Sequence, residues 1–242
     1  MALLNFYGAI QQVTGSGYLI ESRDGSRVLL ECGMRQGRRD AEEGNRAPFP
    51  FDPNSLNAVV ISHAHLDHSG LLPRLAAAGY RGPIFATVAT CELLELMLLD
   101  SAHIQEHDAE WENKWRLRQG KPAIAPIYTT AETEQALKLR RALDYGVQQE
   151  VAPGVRLTYH DAGHILGAAI VELEVDDHHL TRRLVFSGDL GNGCSPLMHR
   201  PSILDSADAV MLESTYGDRD HRCSEDTLDE LARIAQKACD NT

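Results

Sequence analysis

Ser62-His63-Ala64-His65-Leu66-Asp67-His68-Ser69-Gly70 follows directly on the wholly apolar run Ala58-Val59-Val60-Ile61. The apolar run reads as a short strand buried on both faces, and Gly70 to Ala78 as a helix. Between them, three histidines and a carboxylate fall within six residues. Imidazole and carboxylate together suit borderline divalent metals such as zinc. In an extended segment alternate side chains face one way, so His63 and His65 can grip one ion. Asp67 and His68, turning into the helix, then face a neighbouring position. A histidine-rich surface loop is the plainer reading, but such a loop has no need to follow a buried strand.

Two strings further along extend the set. Asp161-Ala162-Gly163-His164-Ile165-Leu166-Gly167 places a histidine among glycines after a strand, and Phe186-Ser187-Gly188-Asp189-Leu190-Gly191 places an aspartate likewise. Small neighbours let the backbone come close to a metal centre without clashing. Each string alone reads as a turn; behind the histidine motif they supply the fifth and sixth ligands.

The rest of the chain alternates strands with helices. Gly17–Ser22 and Arg27–Glu31 are β-prone and joined by Arg23-Asp24-Gly25-Ser26, where Asp-Gly signals a hairpin. The segment from Arg35 to Pro53 has no periodicity and reads as a surface loop. Pro83 to Ala86 is another buried strand. Thr90 to Gln119 is the longest helical stretch, with Leu94, Met97, Leu98, Ile104, Trp111 and Trp115 at three- and four-residue steps. Gly120, Pro122 and Pro126 end it. Thr130 to Ala142 reads as a second helix, capped by Thr130 or Thr133. Strands follow at Val155–Tyr159, Ala168–Val175, Leu184–Phe186 and Ala209–Leu212. An amphipathic helix from Ser224, its cap, to Cys239 closes the chain. Strand-rich halves around a helical middle indicate an α/β sandwich, sheets inside and helices outside.

Composition sets the outer bounds. With 242 residues, 43% hydrophobic and 24% charged, the chain is an ordinary globular protein of one domain or a little more. No apolar stretch is long enough to span a membrane, and no secretory leader is visible. Five scattered cysteines fit a reducing cytoplasm better than a disulfide framework. The net charge of −12 sits awkwardly with nucleic-acid binding, which ordinarily rests on a basic face.

The histidine motif, His164 and Asp189 match the metallo-β-lactamase superfamily. More narrowly, Val13-Thr14-Gly15-Ser16, Glu31-Cys32-Gly33-Met34, Asp100-Ser101-Ala102-His103-Ile104 and Glu213-Ser214-Thr215-Tyr216-Gly217 resemble its β-CASP branch. That branch contains RNA nucleases related to the mRNA 3′-end-processing endonuclease. The resemblance runs from about Phe6 to Arg219. It implies a metallo-β-lactamase αββα sandwich with one zinc on His63, His65 and His164, a second on Asp67 and His68, and Asp189 bridging them. It implies phosphodiester hydrolysis by a metal-activated hydroxide, with Asp67 orienting the nucleophile. Glu31 stands where the family more often has aspartate and steadies the ligand loop; Glu213 matches the acid that opens the β-CASP motifs.

Family members continue into an inserted β-CASP domain with a histidine near the scissile phosphate, then return with a final zinc ligand. His221 comes too soon to be either. The resemblance therefore implies that residues 1–212 are the N-terminal part of a metallo-β-lactamase domain and 213–242 the truncated beginning of the inserted one. Such a chain is expected to fold but to cleave poorly. RNA is the expected partner, and a homodimer is carried as a further expectation. A thioesterase- or lactonase-like hydrolase of the same fold is the competing reading, and an inert partner subunit a third.

Other residues carry plainer readings. His103 and His107 suit a helix face. His178 and His179 suit an exposed turn, and His160 a place near but outside the site. Trp111 and Trp115 could stack on bases, but their helical spacing favours packing. Cys32 reads as a small buried residue.

Overall fold

Runs of β-branched and leucine side chains build two sheets, and the alternation along each strand decides what lies between them. The computed structural model of the chain describes residues 2–37, 41–178, 180–193, 197–220 and 224–240, without the side chains of residues 224 and 225. The first sheet runs in chain order: β1 (Leu3–Phe6), β2 (Tyr18–Glu21), β3 (Arg27–Leu30), β4 (Ala58–Val60), β5 (Ile84–Ala86) and β6 (Arg140–Ala142). β1 to β3 pair antiparallel and β3 to β6 parallel. The second sheet is ordered β11-β10-β9-β8-β7, from β7 (Gln149–Ala152), β8 (Val155–Asp161), β9 (Ala169–Asp177), β10 (Leu180–Phe186) and β11 (Ala209–Met211). Only its β10–β11 pair is parallel.

One core lies between the sheets. Ile20, Val28, Leu30 and Val60 of the first meet Val155, Leu157, Tyr159, Val171, Leu173 and Phe186 of the second. The alternate residues of the first sheet, Leu19, Leu29, Val59, Ile61 and Ile84, point the other way into a second core. That core is closed by α3 (Leu72–Ala77), α4 (Val88–Arg118) and α5 (Thr130–Leu137), through Leu72, Leu75, Leu94, Leu98 and Ala136. Burying each such aliphatic side chain is worth about 1.5–3 kcal/mol, so period-two alternation on β2 and β3 fixes which face meets which layer. The outer face of the second sheet carries ion pairs: Arg156 with Glu174 and Asp176, and Arg183 and His160 with Glu172.

Several expectations need correction. The stretch Thr130–Ala142 is not one helix. It splits into α5, capped by Thr129 with Glu132 completing a capping box, and β6. Arg140–Ala142 pairs residue by residue with Ile84–Ala86, and this non-local pairing overrides local helix preference. The segment Arg35–Pro53 holds a short helix, α1 (Ala41–Arg46), pinned by buried Asn45, whose amide bonds both the N–H and the carbonyl of Arg35. The helix expected over Gly70–Ala78 is α3, and a short helix not expected, α2 (Leu66–Ser69), precedes it inside the histidine motif. The strands Leu3–Phe6 and Gln149–Ala152 carry too little alternation to be read locally.

The largest correction concerns α4, which runs unbroken from Val88. Its first half is buried through Leu94, Leu98 and Ala102, but Ile104, Trp111 and Trp115 are 54%, 58% and 50% exposed. The helix outlasts the layer it packs on, so the apolar spacing beyond Ala109 meets no core. The helix α6 (Ser224–Asp240) has exposed apolar positions at Leu228, Leu231 and Ile234. The capping role of Ser224, and the positions of His179 and His221, lie outside the described residues. No described helix is long and apolar enough to cross a membrane.

Candidate metal centre

The histidine motif leaves the end of β4 and is clamped from both sides by backbone bonds. Ser16 donates its N–H to the Asp67 carbonyl at 2.9 Å, Cys32 to that of His68 at 2.8 Å and Met34 to that of Leu66 at 2.8 Å. These bonds give Val13–Ser16 and Glu31–Met34 a physical role: both are straps on the ligand loop. The straps lie so close that a Cβ on Gly33 would sit 1.7 Å from the Asp67 carbonyl oxygen. The Asp100–Ile104 string acts from behind, where Ala102 packs on Met34 and the Ser101 hydroxyl pairs with Tyr128 at 2.8 Å.

Two distant loops bring the remaining groups. The loop after β8 carries His164 and the loop after β10 carries Asp189; Gly191 donates to the Ala162 carbonyl at 2.9 Å. A Cβ on Gly191 would meet the Gly163 carbonyl oxygen at 1.8 Å, so this approach needs a residue without a side chain. Glu213, after β11, holds the Asp189 loop: its carboxylate accepts the Leu190 N–H at 2.7 Å, and its own N–H donates to the Ser187 hydroxyl at 3.0 Å.

The result is two groups of donor atoms sharing one carboxylate. His63 Nε2 lies 3.0 Å from His65 Nδ1, His164 Nε2 lies 3.4 Å from that same nitrogen, and Asp189 Oδ2 is 3.6 and 3.7 Å from His63 and His164. On its other side, Asp189 Oδ1 lies 3.3 Å from His68 Nε2, which is 3.7 Å from Asp67 Oδ2. Zinc held tetrahedrally by nitrogen and oxygen at about 2.0–2.1 Å separates neighbouring donors by about 3.3 Å. The observed spacings fit ligands around an ion, and the imidazole–carboxylate chemistry suits zinc.

Glu31 sets the orientation of both groups. Fully buried and in left-handed backbone conformation (φ 64°), it is strained by about 1–3 kcal/mol. Its Oε1 accepts the Ser62 N–H at 2.6 Å, and its Oε2 accepts the Ser62 hydroxyl at 3.1 Å and His68 Nδ1–H at 2.6 Å. The Ser62 hydroxyl spends its proton on Glu31, so it accepts from His63 Nδ1 at 2.9 Å. Both histidines thereby carry a proton on Nδ1 and turn Nε2 toward the donor cluster, the tautomer that would leave Nε2 free for a metal. Although Glu31, His63 and His68 also lie close enough to hold an ion among themselves, both Glu31 oxygens are already engaged. The second methylene of Glu31, which an aspartate lacks, gives its carboxylate the reach to these partners.

Electrostatics follow from burial and this crowding. Burial pushes the His63 imidazole well below its ordinary range, helped by neighbouring His68. Burial also opposes protonation of His68, but hydrogen bonds to Asp189 and Glu31 outweigh it and push that group up to about 10. Burial likewise opposes the charge on Asp189, yet His68, His63 and His164 together hold its carboxyl far below the usual range. With Asp189 ionised, His63, His65, His164 and Asp189 form a group that could hold a metal ion. Beside it opens a cleft of about 640 Å³, lined by His68, Asp189, Glu213 and the Ala9–Val13 loop.

The remaining histidines lie elsewhere. His160 Nε2 bonds Glu172 at 2.7 Å on the outer face of the second sheet. His103 and His107 are exposed on α4, and exposed His178 contacts Arg23. Cys32 is buried, and burial pushes its thiol far up, which suits a packing role. The support given by Ser62 was invisible in the sequence; a hydroxyl directly before the first ligand is its only local sign.

A family model described as the metallo-beta-lactamase superfamily matches residues 11–82. The chain is 39% identical over 231 residues to Ribonuclease TTHA0252 of Thermus thermophilus, covering 96% of this chain and 48% of that protein. It is 34% identical over 222 residues to Transcription termination factor FttA of Methanothermobacter thermautotrophicus, covering 89% and 32%. An RNase J-like protein of Methanocaldococcus jannaschii is 28% identical over 218 residues, covering 90% and 43%. The chain thus spans about half the length of the first relative and a third of the second.

Proposed function

We propose, from the premise that this chain belongs to the metallo-β-lactamase superfamily and within it to the β-CASP branch, that it holds the two-zinc centre of an RNA-cleaving hydrolase. The observation that carries the reading is Asp189, whose two oxygens face two separate imidazole groups. Support comes also from relatives whose names are ribonuclease and RNase J-like.

In this reading His63, His65, His164 and Asp189 would hold one zinc, and His68, Asp67 and Asp189 the other. Bound there, zinc would supply Lewis-acid polarisation of a phosphate and make water acidic enough to ionise near neutral pH. The chain's own groups do the positioning. Glu31 and Ser62 keep the Nδ1 protons of His68 and His63 in place, and Glu213 fixes the loop that carries Asp189. Asp67, 3.7 Å from the His68 ring that lines the cleft, would orient water there, and the cleft would receive the strand. Residues from about 213 onward would begin the inserted domain, although Glu213 itself remains bonded to the first. Buried, unpaired Cys32 and Cys91 fit a reducing, cytoplasmic setting, and self-association as a homodimer stays part of the proposal.

Elemental analysis of the purified chain should find zinc, and Asp189→Ala should remove it from both groups while the chain stays folded. Zinc-replete protein carrying the inserted domain should cleave single-stranded RNA and leave thioesters and β-lactams intact, whereas residues 1–242 alone should cleave RNA poorly. Thioester hydrolysis without nuclease activity would replace this reading with that of a small-molecule hydrolase.

A further inference from the structure

The chain has two tryptophans, Trp111 and Trp115, and both stand in solvent on the distal half of α4. Their ring centres are 6.2 Å apart. Helical geometry puts positions i, i+3, i+4 and i+7 on one stripe, which here reads Trp111, Lys114, Trp115 and Arg118. The Arg118 guanidinium lies 5.3 Å from the Trp115 ring centre. A cation is therefore already held beside an aromatic face.

Charge separates this stripe from the rest of the molecule. From Trp111 to Lys121 there are four cations, Lys114, Arg116, Arg118 and Lys121, against the single acid Glu112, in a chain of net charge −12. Arg116 is spent on Glu112 and on the Pro122 carbonyl; Lys114, Arg118 and Lys121 are exposed. Asp108 and Glu110, in the turn before, mark the acidic boundary of the stripe, and Glu110 stands four residues before Lys114.

The stripe is also rigid. Asn113 donates to the Ile124 carbonyl at 2.9 Å and accepts the Ile124 N–H at 2.8 Å, so the returning segment is stapled to the helix. At its other end, α4 is bonded to the His164 loop: Thr87 and Thr90 hydroxyls donate to the Gly167 carbonyl at 2.6 and 2.8 Å. At 1.5 Å per residue, the tryptophans stand roughly 35 Å along the helix from that loop.

We propose that the Trp111–Lys114–Trp115–Arg118 stripe is a docking site for single-stranded RNA, with bases stacking on the indoles and phosphates meeting the cations. The proposal rests on the nuclease reading for its choice of ligand. Charge complementarity selects a polyanion, and aromatic faces interleaved with cations are the chemistry that binds unpaired nucleotides without regard to sequence. It also eases the difficulty posed by the acidic chain: this stretch of helix is net positive although the chain as a whole is not.

Because these are the chain's two tryptophans, intrinsic fluorescence reads the site directly. The full chain in chelator, which prevents cleavage, is titrated at low salt with an oligouridylate of about a dozen nucleotides. Saturable quenching is expected. With end-labelled RNA followed by anisotropy, Trp111→Ala and Trp115→Ala should each weaken binding about tenfold, and Trp115→Phe much less. The double variant Lys114→Glu, Arg118→Glu should flatten the salt dependence by roughly 1.4 log units per log unit of salt. These side chains are exposed, so unchanged melting temperatures are expected and keep the comparison clean. RNA binding that leaves the tryptophans unquenched, or no RNA binding at all, overturns the proposal. A fluorescence change that follows protein concentration without RNA assigns the stripe to a second copy and overturns it too. Cleavage is scored separately, in zinc-replete protein that carries the inserted domain: cleavage that survives loss of the stripe's binding leaves the nuclease reading standing, and RNA held by the stripe without cleavage by that protein sinks that reading alone.

Discussion

Replacing Glu31 by glutamine should damage both metal groups through one side chain. Glutamine keeps the shape and the single oxygen but exchanges the second oxygen for an NH2. If its oxygen stays on the Ser62 N–H, now 2.6 Å from Oε1, the NH2 faces His68 Nδ1 and the Ser62 hydroxyl. His68 then accepts at Nδ1, its proton moves to Nε2, and the nitrogen facing Asp189 and Asp67 loses its lone pair. If the amide flips, NH2 faces the Ser62 N–H, leaving a buried donor unsatisfied at a cost of about 1–3 kcal/mol. A contact that fixes a ligand's tautomer is worth about ten- to a hundredfold in metal affinity, or about 1.4–2.7 kcal/mol. Glu31→Gln should therefore weaken zinc binding by that factor at the His68 group and, through Ser62, at the His63 group. Ser62→Ala removes only the relay to His63 and should weaken one group. Competition against a chelator of known affinity, with both stoichiometry and affinity fitted, separates the two variants. Wild-type affinity at both groups in Glu31→Gln, with an unchanged melting temperature, would refute the reasoning.

Gly191→Ala places a Cβ 1.8 Å from a backbone carbonyl oxygen, which should cost about 1–3 kcal/mol of stability and part the His164 and Asp189 loops; zinc retention through dialysis tests the second effect. Thr129→Ala removes the cap of α5 and should lower stability by about 1 kcal/mol in urea unfolding, with zinc content unchanged. Chelation should lower the melting temperature: ions present at about a hundred times Kd stabilise by about 2.7 kcal/mol, on the order of 5–10 °C for a domain this size. A melt insensitive to chelator would mean that the donor cluster holds no metal in the native chain.

Four of the six candidate donor residues, His63, His65, Asp67 and His68, could be singled out because strand and loop geometry act over two or three residues. So were the buried strand before them and the hairpin at Asp24-Gly25. The pairing of those donors with His164 and Asp189 was readable only as resemblance and glycine content. Bringing them together takes the ends of β8 and β10 and the near contact of Gly163 with Gly191, and no local rule encodes either. Glu31 and Ser62 show the same division. Their types hint at polar support, but that one carboxylate orients a ligand in each group depends on β3 and β4 lying side by side. Arg140–Ala142 became a strand because β5 offered an open edge, and Trp111 and Trp115 became surface because α4 runs past the end of its core. Sequence determined what each segment can do within a few residues, through dihedral preference, periodicity and donor chemistry. Only the tertiary structure decided which faces found partners, since burial and non-local pairing depend on what the rest of the chain places opposite.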